Sequence, residues 1–179
     1  METTPIEPKR TVTLAIAEES VFLPAGEWIN GMNVFDVDLL ATRLRLATAW
    51  LREQQACAQL PVGYFGASTG AAAALWAAAE PDARIEAVVS RGGRPDLAWH
   101  RLGAVRAPTL LIVGGDDTTV LELNREAARG LRCEHRLEIV PGATHLFEEA
   151  GAIERVADLA GLWFVEHLGF PGAPATDAR

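Results

Sequence analysis

Short apolar segments alternate with longer amphipathic segments along most of the chain. The apolar segments are rich in β-branched residues, which predicts strands at residues 11–17, 61–65, 85–90, 109–113 and 136–140. The amphipathic segments repeat hydrophobic residues at spacings of three and four, which predicts helices at residues 36–55, 69–79, 120–129 and 149–168. Strand and helix are therefore expected to alternate from the first strand onward.

This alternation favours an α/β fold with a doubly wound, mostly parallel sheet and helices on both of its faces. Residues 109–113 are almost purely apolar, as expected for a strand that is covered on both faces. We expect a single domain over residues 1–179, with residues 1–10 and 170–179 frayed. In such sheets ligands bind beyond the carboxyl ends of the strands, so the residues that follow each strand are the first candidates for a site.

The helical spacing also predicts which side chains face the core. In the first helix, for which Asp36 is the expected N-cap, the predicted inner face is a broad one. It comprises Val37, Leu40, Leu44, Ala47 and Leu51, widened by Leu39, Leu46 and Trp50. In the last helix the residues predicted to face inward are Ile153, Val156, Leu159, Ala160 and Trp163.

Charge and composition narrow the class of ligand. The chain has 179 residues, 49% hydrophobic and 22% charged, with a net charge of −8 and a pI near 5.0. Nucleic acid and anionic membranes are unfavourable partners for such a chain, because phosphate binding needs clustered Lys and Arg. A small-molecule substrate fits better. Cys57 and Cys133 lack metal-binding spacing, so we expect buried free thiols, no metal and no other cofactor.

Targeting signals are not evident in the sequence. Residues 1–10 alternate acids, prolines and bases without the apolar core of a signal peptide. The longest apolar run, residues 71–79, is far too short to span a bilayer. A cytoplasmic location is the resulting expectation.

Residues 66–70, Gly-Ala-Ser-Thr-Gly, lie between a predicted strand and an alanine-rich predicted helix. This context predicts a nucleophile elbow, in which glycines permit a tight turn that exposes the hydroxyl of Ser68 at the carboxyl edge of the sheet. A glycine-rich turn with a passive serine is the alternative.

A nucleophilic serine needs a histidine base and an acid that orients it. Of the four histidines, His100 follows the turn after the third predicted strand, His135 stands at the start of a strand, and His167 lies in the last turns of the final helix. His145 is better placed, because it follows the strand at residues 136–140 at the edge where Ser68 is expected. The strand at residues 109–113 leads to two aspartates, Asp116 and Asp117, and the sequence leaves either as the acid. Helix capping is their alternative role. The order serine, aspartate, histidine is that of α/β-hydrolases.

Residues 61–164 resemble the dienelactone hydrolase-like branch of the α/β-hydrolases, including members found beside or fused to phosphoribosyltransferases. The stretches that carry the resemblance are GYFGASTGAAAAL, VVSRGGRPDLA, PTLLIVGGDDTTVLELNREA and VPGATHLFEE. The family pattern GxxDxxV falls on Gly114, Asp117 and Val120, which favours Asp117 as the acid. Dienelactone hydrolases use a cysteine nucleophile, whereas Ser68 is similar to the esterase-type members. The N–H of Thr69 is the implied oxyanion donor.

The chain also departs from this family. The resemblance implies strands ahead of the elbow strand and a His-Gly loop that donates an oxyanion amide, and this sequence has no counterpart, so it resembles an N-terminally shortened member. The edge left open would be filled by the first strand or covered by a second subunit in a homodimer. Residues 18–33 could supply a substitute amide and line the pocket with Phe22 and Trp28, and the alternative, which the sequence favours, is an ordinary surface loop.

Two arginines follow the third predicted strand in the stretch Arg91-Gly92-Gly93-Arg94. Arg91 and Arg94 could bind a substrate carboxylate or phosphate near Ser68, and the alternative is a turn with solvated arginines.

Three functions are consistent with these features of the sequence. The first is a serine hydrolase that acts on a small ester, lactone or thioester through Ser68, Asp117 and His145. The second is a non-catalytic α/β-hydrolase remnant that binds a partner. The third is a flavodoxin-like nucleotide or regulator domain, which leaves the order of the three residues unexplained.

Overall fold

A computed structural model describes the backbone of residues 12–16 and the whole of residues 36–169. The strands are β1 (Val12–Ile16), β2 (Val62–Ala67), β3 (Ala87–Arg91), β4 (Thr109–Gly114) and β5 (His135–Val140). The helices are α1 (Val37–Glu53), α2 (Thr69–Ala78), α3 (Trp99–Leu102), α4 (Thr118–Gly130) and α5 (Ala152–His167). Predictions about residues 1–10, 18–33 and 170–179 lie outside the described part.

The five described strands form one sheet in the order β1-β2-β3-β4-β5, and every neighbouring pair is parallel. Right-handed connections between strands that add in sequence place the connecting helices on the same face. The buried residues of α1 to α4 share that layer, while α5 covers the opposite face with its own core. The predicted α/β fold with helices on both faces of a parallel sheet is confirmed.

The central strands supply both cores because successive side chains point to opposite faces. Val88 and Leu111 are fully buried in the core beneath α1 and α2. Val89 and Leu110, their neighbours in the chain, are buried beneath α5. β4 is buried along its whole length, as its apolar sequence predicts.

β1 forms the lateral edge of the sheet on the side of the elbow strand. β1 pairs directly with β2, from Val12 opposite Val62 to Ile16 opposite Gly66. The first strand thus takes the place beside the elbow strand, which is the first of the two arrangements expected for that edge.

The predicted inner face of α1 is too broad. Asp36 caps the helix as expected, its carboxylate accepting the N–H of Leu39 at 3.0 Å. However, Leu46 and Trp50 are 65% and 60% exposed. α1 lies mainly against α2, so only one stripe of its surface is covered, and that stripe is Val37, Leu40, Ala41, Leu44 and Thr48. Ala47 is also exposed.

In α5 the inward positions are largely as predicted. Val156, Ala160 and Trp163 are buried, and Leu159 is half-buried. Ile153 is 49% exposed instead, because the buried stripe of the first turn starts from Ala152.

Residues 95–102 form two very short helical segments that the sequence pattern does not predict. A 3₁₀ turn, Pro95–Ala98, leads directly into α3. Each has four residues, which is too short for an amphipathic period to be visible. Of the helices described, none combines the length and the hydrophobicity needed to cross a membrane.

One buried hydrogen bond joins α1 to the elbow strand. The hydroxyl of Thr48 donates to the carbonyl of Leu44 at 2.8 Å, so in its 2.9 Å contact with Tyr64 the phenol must be the donor. Burial is the main cause that raises the pKa of Tyr64 above 10.0.

Replacing Tyr64 with phenylalanine is expected to lower the free energy of unfolding by about 1 kcal/mol at pH 8, since one buried hydrogen bond is lost. The raised pKa means that the folded state holds the phenol proton more tightly than the unfolded state. Stability from this group is therefore complete below pH 10 and declines as the pH rises above it. Urea unfolding of both proteins at pH 8 and pH 10.5 checks this. We expect the variant to lose less stability between the two pH values, and an equal loss would contradict the assignment.

Candidate active site

Ser68 stands in a strained turn between β2 and α2. Its backbone has φ 48° and ψ −120°, a conformation that non-glycine residues rarely adopt. The side chain is half-buried, and Thr69 immediately after it begins the helix. The turn thus presents a hydroxyl at the carboxyl edge of the sheet, as the predicted nucleophile elbow requires.

Gly66 explains why the elbow needs glycine two residues before the serine. A Cβ at this position would collide with the carbonyl oxygen of Gly70 and would lie 2.6 Å from Cα of Ala71. Both are backbone atoms of the first turn of α2, which cannot move aside as a flexible side chain would. The absence of a side chain at Gly66 therefore allows the helix to start directly over the strand.

His145 and Asp117 are joined by a hydrogen bond. His145 Nδ1 lies 2.6 Å from Asp117 Oδ2, and the two side chains are 36% and 14% exposed. Asp117 occupies the N-cap position of α4, yet its side chain makes no capping hydrogen bond. The carboxylate faces the histidine instead of the helix end, which argues against capping as its main role. Asp116, the other candidate acid, is exposed.

The backbone brings this pair together by packing two loops closely. In the loop after β4, the Gly115 N–H donates to the carbonyl of Val140 at the end of β5 at 2.8 Å, and the Asp116 N–H donates to the carbonyl of Ala143 in the loop after β5 at 3.0 Å. A Cβ at Gly114 would lie 2.7 Å from the carbonyl oxygen of Thr144. Glycine at this position therefore permits the close approach that puts His145 beside Asp117.

Ser68 is linked to the His145 loop through the turn after β3. Its N–H donates to the carbonyl of Arg91 at 3.2 Å, and its carbonyl accepts the N–H of Arg94 at 3.1 Å. Between these residues, the Cβ position of Gly92 lies 3.6 Å from Cε1 of His145. The serine and the imidazole thus border the same turn. The described hydrogen bond of the His145 ring is the one to Asp117, and a hydrogen bond between a nucleophile and its base often forms only when substrate is bound.

Both arginines of this turn have partners inside the protein. Arg94 makes two hydrogen bonds to Asp96, at 2.9 and 2.8 Å, which raise the pKa of its guanidinium. Arg91 Nη1 lies 3.4 Å from the carbonyl oxygen of His145, and its guanidinium lies 5.4 Å from the ring centre of Phe147. Trp28, the third residue expected to bind substrate, lies outside the described residues.

The other histidines lie away from Ser68. His100 is exposed in α3, and His135 is exposed at the start of β5, the opposite end of that strand from His145. His167 ends α5 and packs against Trp163, with ring centres 4.2 Å apart. The placement that the sequence predicts for each is the one found.

Among the described residues, Glu134, Glu166 and His167 have ligand atoms within 4.8 Å of one another and could hold a metal ion. Both glutamates are exposed, and the group lies beyond the start of β5, away from the serine. Cys57 and Cys133 are free and half-buried, and burial raises the pKa of the Cys133 thiol. Neither cysteine belongs to the edge that carries Ser68.

Comparison with known proteins gives the family. The family model described as "Dienelactone hydrolase family" matches residues 29–161, which is more than half of the chain. The chain belongs to the dienelactone hydrolase family. Membership of this family supports a hydrolase.

The chain is also similar to individual solved structures and curated proteins. The crystal structure of a dienelactone hydrolase from Anabaena variabilis is 54% identical and superposes with a TM-score of 0.76, over 77% of this chain and 64% of that one. An esterase from Pyrococcus furiosus, 16% identical, shares the fold, with a TM-score of 0.59 over 72% of this chain and 62% of the esterase. Two Mycobacterium tuberculosis proteins, from strains CDC 1551 and H37Rv, are 62% identical over 143 residues.

The names of these two mycobacterial proteins describe them provisionally as phosphoribosyl transferases. The alignment covers 80% of this dienelactone hydrolase family member but 32% of each of them. The chain thus spans about a third of the length of the curated relatives it matches.

Two residues beside the site were not identified from the sequence. Asn124 of α4 is fully buried, and its amide donates to the carbonyl of Gly93 at 2.9 Å. Phe147 is buried and adopts φ 58°. The only available signal was the Gly92-Gly93 pair, which marks a turn that another element can approach closely.

Proposed function

We propose that this chain is a serine hydrolase that cleaves a small ester, lactone or thioester through an acyl-enzyme on Ser68. The substrate is a small molecule, and the chemistry needs no metal or organic cofactor. The observation that carries the proposal is the 2.6 Å hydrogen bond between Asp117 and His145, at the edge where a strained turn presents Ser68.

The tautomer of His145 follows from this bond. A carboxylate can only accept, so Nδ1 must carry the proton that it receives. Nε2 is then the unprotonated nitrogen, which can take a proton from a serine hydroxyl. The pair is therefore prepared to act as a general base whose orientation and developing charge are both controlled by Asp117.

The reaction then has two halves. Ser68 Oγ attacks the substrate carbonyl while His145 Nε2 accepts its proton, and His145 next protonates the leaving group as the tetrahedral intermediate collapses. In the second half His145 deprotonates water, which attacks the acyl-enzyme and releases Ser68. The activity of the site thus depends on one histidine that faces both Ser68 and Asp117.

Thr69 supplies one donor to the developing oxyanion. Its N–H lies at the first helical position of α2, where the backbone N–H has no acceptor within the helix. The positive end of the helix dipole adds to this stabilisation. Loss of a second donor costs about 2.7 to 4 kcal/mol of transition-state stabilisation, so a chain that relies on Thr69 alone would be a slow hydrolase.

The transferase name of the mycobacterial relatives is compatible with this proposal. That name belongs to proteins about three times as long as the segment they share with this chain. The shared segment overlaps the region that matches the hydrolase family model. We assign the hydrolase chemistry to the shared segment and any phosphoribosyl transfer to the remainder of the longer proteins.

Labelling with a fluorophosphonate tests the proposal. This probe forms a covalent adduct with activated serines, and intact mass spectrometry counts the adducts. We expect one adduct on the parent protein and none on Ser68→Ala. Ser90→Ala is the matched control, since Ser90 is fully buried on the neighbouring strand and should leave labelling unchanged.

Circular dichroism establishes that all three proteins are folded. If a folded parent protein forms no adduct, the hydrolase proposal is overturned. The non-catalytic binding domain would then be the better description of this chain.

A further inference from the structure

Arg91 contacts both sides of the proposed active site. Its carbonyl accepts the N–H of Ser68 at 3.2 Å, and its guanidinium donates to the carbonyl of His145 at 3.4 Å. Ser68 lies at the end of β2 and His145 follows β5, so this one residue bridges segments that are separated by two intervening strands. It is half-buried, which limits the freedom of its side chain.

The His145 segment needs such a contact because its backbone is strained. Phe147, two residues after the histidine, has φ 58°, a value that is unusual for a bulky residue. Its ring is buried and lies 5.4 Å from the Arg91 guanidinium, within the range of a cation–π contact. The same guanidinium thus bonds to the carbonyl of His145 and lies over the ring of the strained residue, Phe147.

Arg91 itself is firmly positioned. The adjoining Gly92 N–H donates to the carbonyl of Ile112 at 2.8 Å, and Asn124 holds the carbonyl of Gly93 at 2.9 Å. Asn124 is fully buried and extends from α4. The turn that carries Arg91 is therefore attached to β4 and α4, and it provides a fixed position from which the arginine can orient the His145 loop.

We infer that Arg91 is a positioning residue that holds His145 in place for proton transfer with Ser68. This inference rests on the proposed hydrolase function, and it gives Arg91 a role within the protein rather than in substrate binding. The effect passes through the backbone carbonyl of His145 and through Phe147. The substrate itself need not touch Arg91.

The rate of fluorophosphonate labelling tests this role in Arg91→Met and Arg91→Lys. Methionine keeps much of the length and the apolar stem but cannot donate, whereas lysine retains the charge and one donating group. We expect Arg91→Met to lower the maximal labelling rate about 10- to 100-fold, since small displacements of catalytic groups are costly. The probe concentration for half-maximal rate should not change, and lysine should restore part of the rate.

Arg101→Met is the matched control, because the Arg101 guanidinium in α3 likewise lies over an aromatic ring, that of Trp76 at 4.9 Å, and pairs with Glu80 at 3.2 Å. It should label at the parental rate. If Arg91→Met labels as fast as the parent, or if only the half-maximal concentration rises, the positioning role is overturned. The second result would favour direct binding of the probe by Arg91.

A second measurement does not depend on reactivity. Proton–nitrogen correlation spectra of the imidazole report the tautomer of His145, which the bond to Asp117 should hold with its proton on Nδ1. We expect a single tautomer in the parent and in Arg91→Lys, and a mixture in Arg91→Met. An unchanged spectrum in Arg91→Met would overturn the inference even if the parent protein never labels, whereas absence of labelling alone counts against the proposed function.

Discussion

Replacing Asp117 with asparagine is expected to lower the rate of fluorophosphonate labelling and of ester turnover about 10⁴-fold while leaving the fold intact. Asparagine has nearly the same shape, but its amide can donate to Nδ1 of His145. That bond would stabilise the tautomer with the proton on Nε2, which cannot accept the serine proton. Labelling kinetics by intact mass, with an activated aryl ester as a second substrate, measure the loss.

Asp116→Asn is the control for this variant. Asp116 precedes Asp117 in the same loop, is exposed, and bonds through its backbone N–H to Ala143. Its conversion changes the net charge by the same amount without touching the imidazole, so we expect an effect of less than about twofold on the rate. Equal losses in both variants would show that the charge of the loop matters and that the hydrogen bond to His145 does not.

Replacing Gly66 with alanine is expected to destabilise the protein by about 3 kcal/mol. The new methyl group would overlap the backbone of the first turn of α2, with Cα of Ala71 only 2.6 Å from the Cβ position. Relief requires the helix to move away from β2, and this movement would also displace Ser68. Urea unfolding measures the stability, and labelling of the folded fraction measures the reactivity.

Gly161→Ala is the control, and we expect it to raise the stability of the protein in the same unfolding experiment. Gly161 lies within α5, and a Cβ there meets no atom within 4 Å. Alanine at this exposed helical position should stabilise the protein by about 0.5 to 1 kcal/mol, because glycine loses more backbone entropy on folding. An unchanged unfolding midpoint for Gly66→Ala would contradict the close passage of α2 over the elbow strand.

Much of the architecture follows from the sequence because each predicted strand has a distinct physical signature. The apolar side chains of β4 point to both faces of the sheet, so the strand has to be covered by other elements on both faces, and the structure buries it on both. The glycines around Ser68 demand a turn whose dihedral angles no ordinary residue favours, and Ser68 adopts such angles. Requirements of this kind are local, so a single sequence can reveal them.

Other features, such as which helix face is buried and which loop side chains meet, depend on neighbouring elements that the hydrophobic periodicity does not specify. Trp50 has the spacing of a buried residue, but burial requires a neighbouring element, and α2 covers only one stripe of α1. The choice of Asp117 over Asp116 was open from the residues alone, since adjacent positions in a loop have no fixed direction. The contact of Arg91 with His145 joins two distant loops, and no spacing along the chain predicts it.

The two faces of the sheet differ in how many helices protect them. α1 to α4 cover one face, and α5, with 16 residues, is the one described helix on the other. Ser68 starts a helix of the thicker layer, whereas His145 belongs to the connection that leads into α5. Partial opening that releases α5 alone would remove the base while the nucleophile stays on an intact sheet. The assembled site therefore depends on the docking of α5 in addition to the bonds that join the loops after β4 and β5.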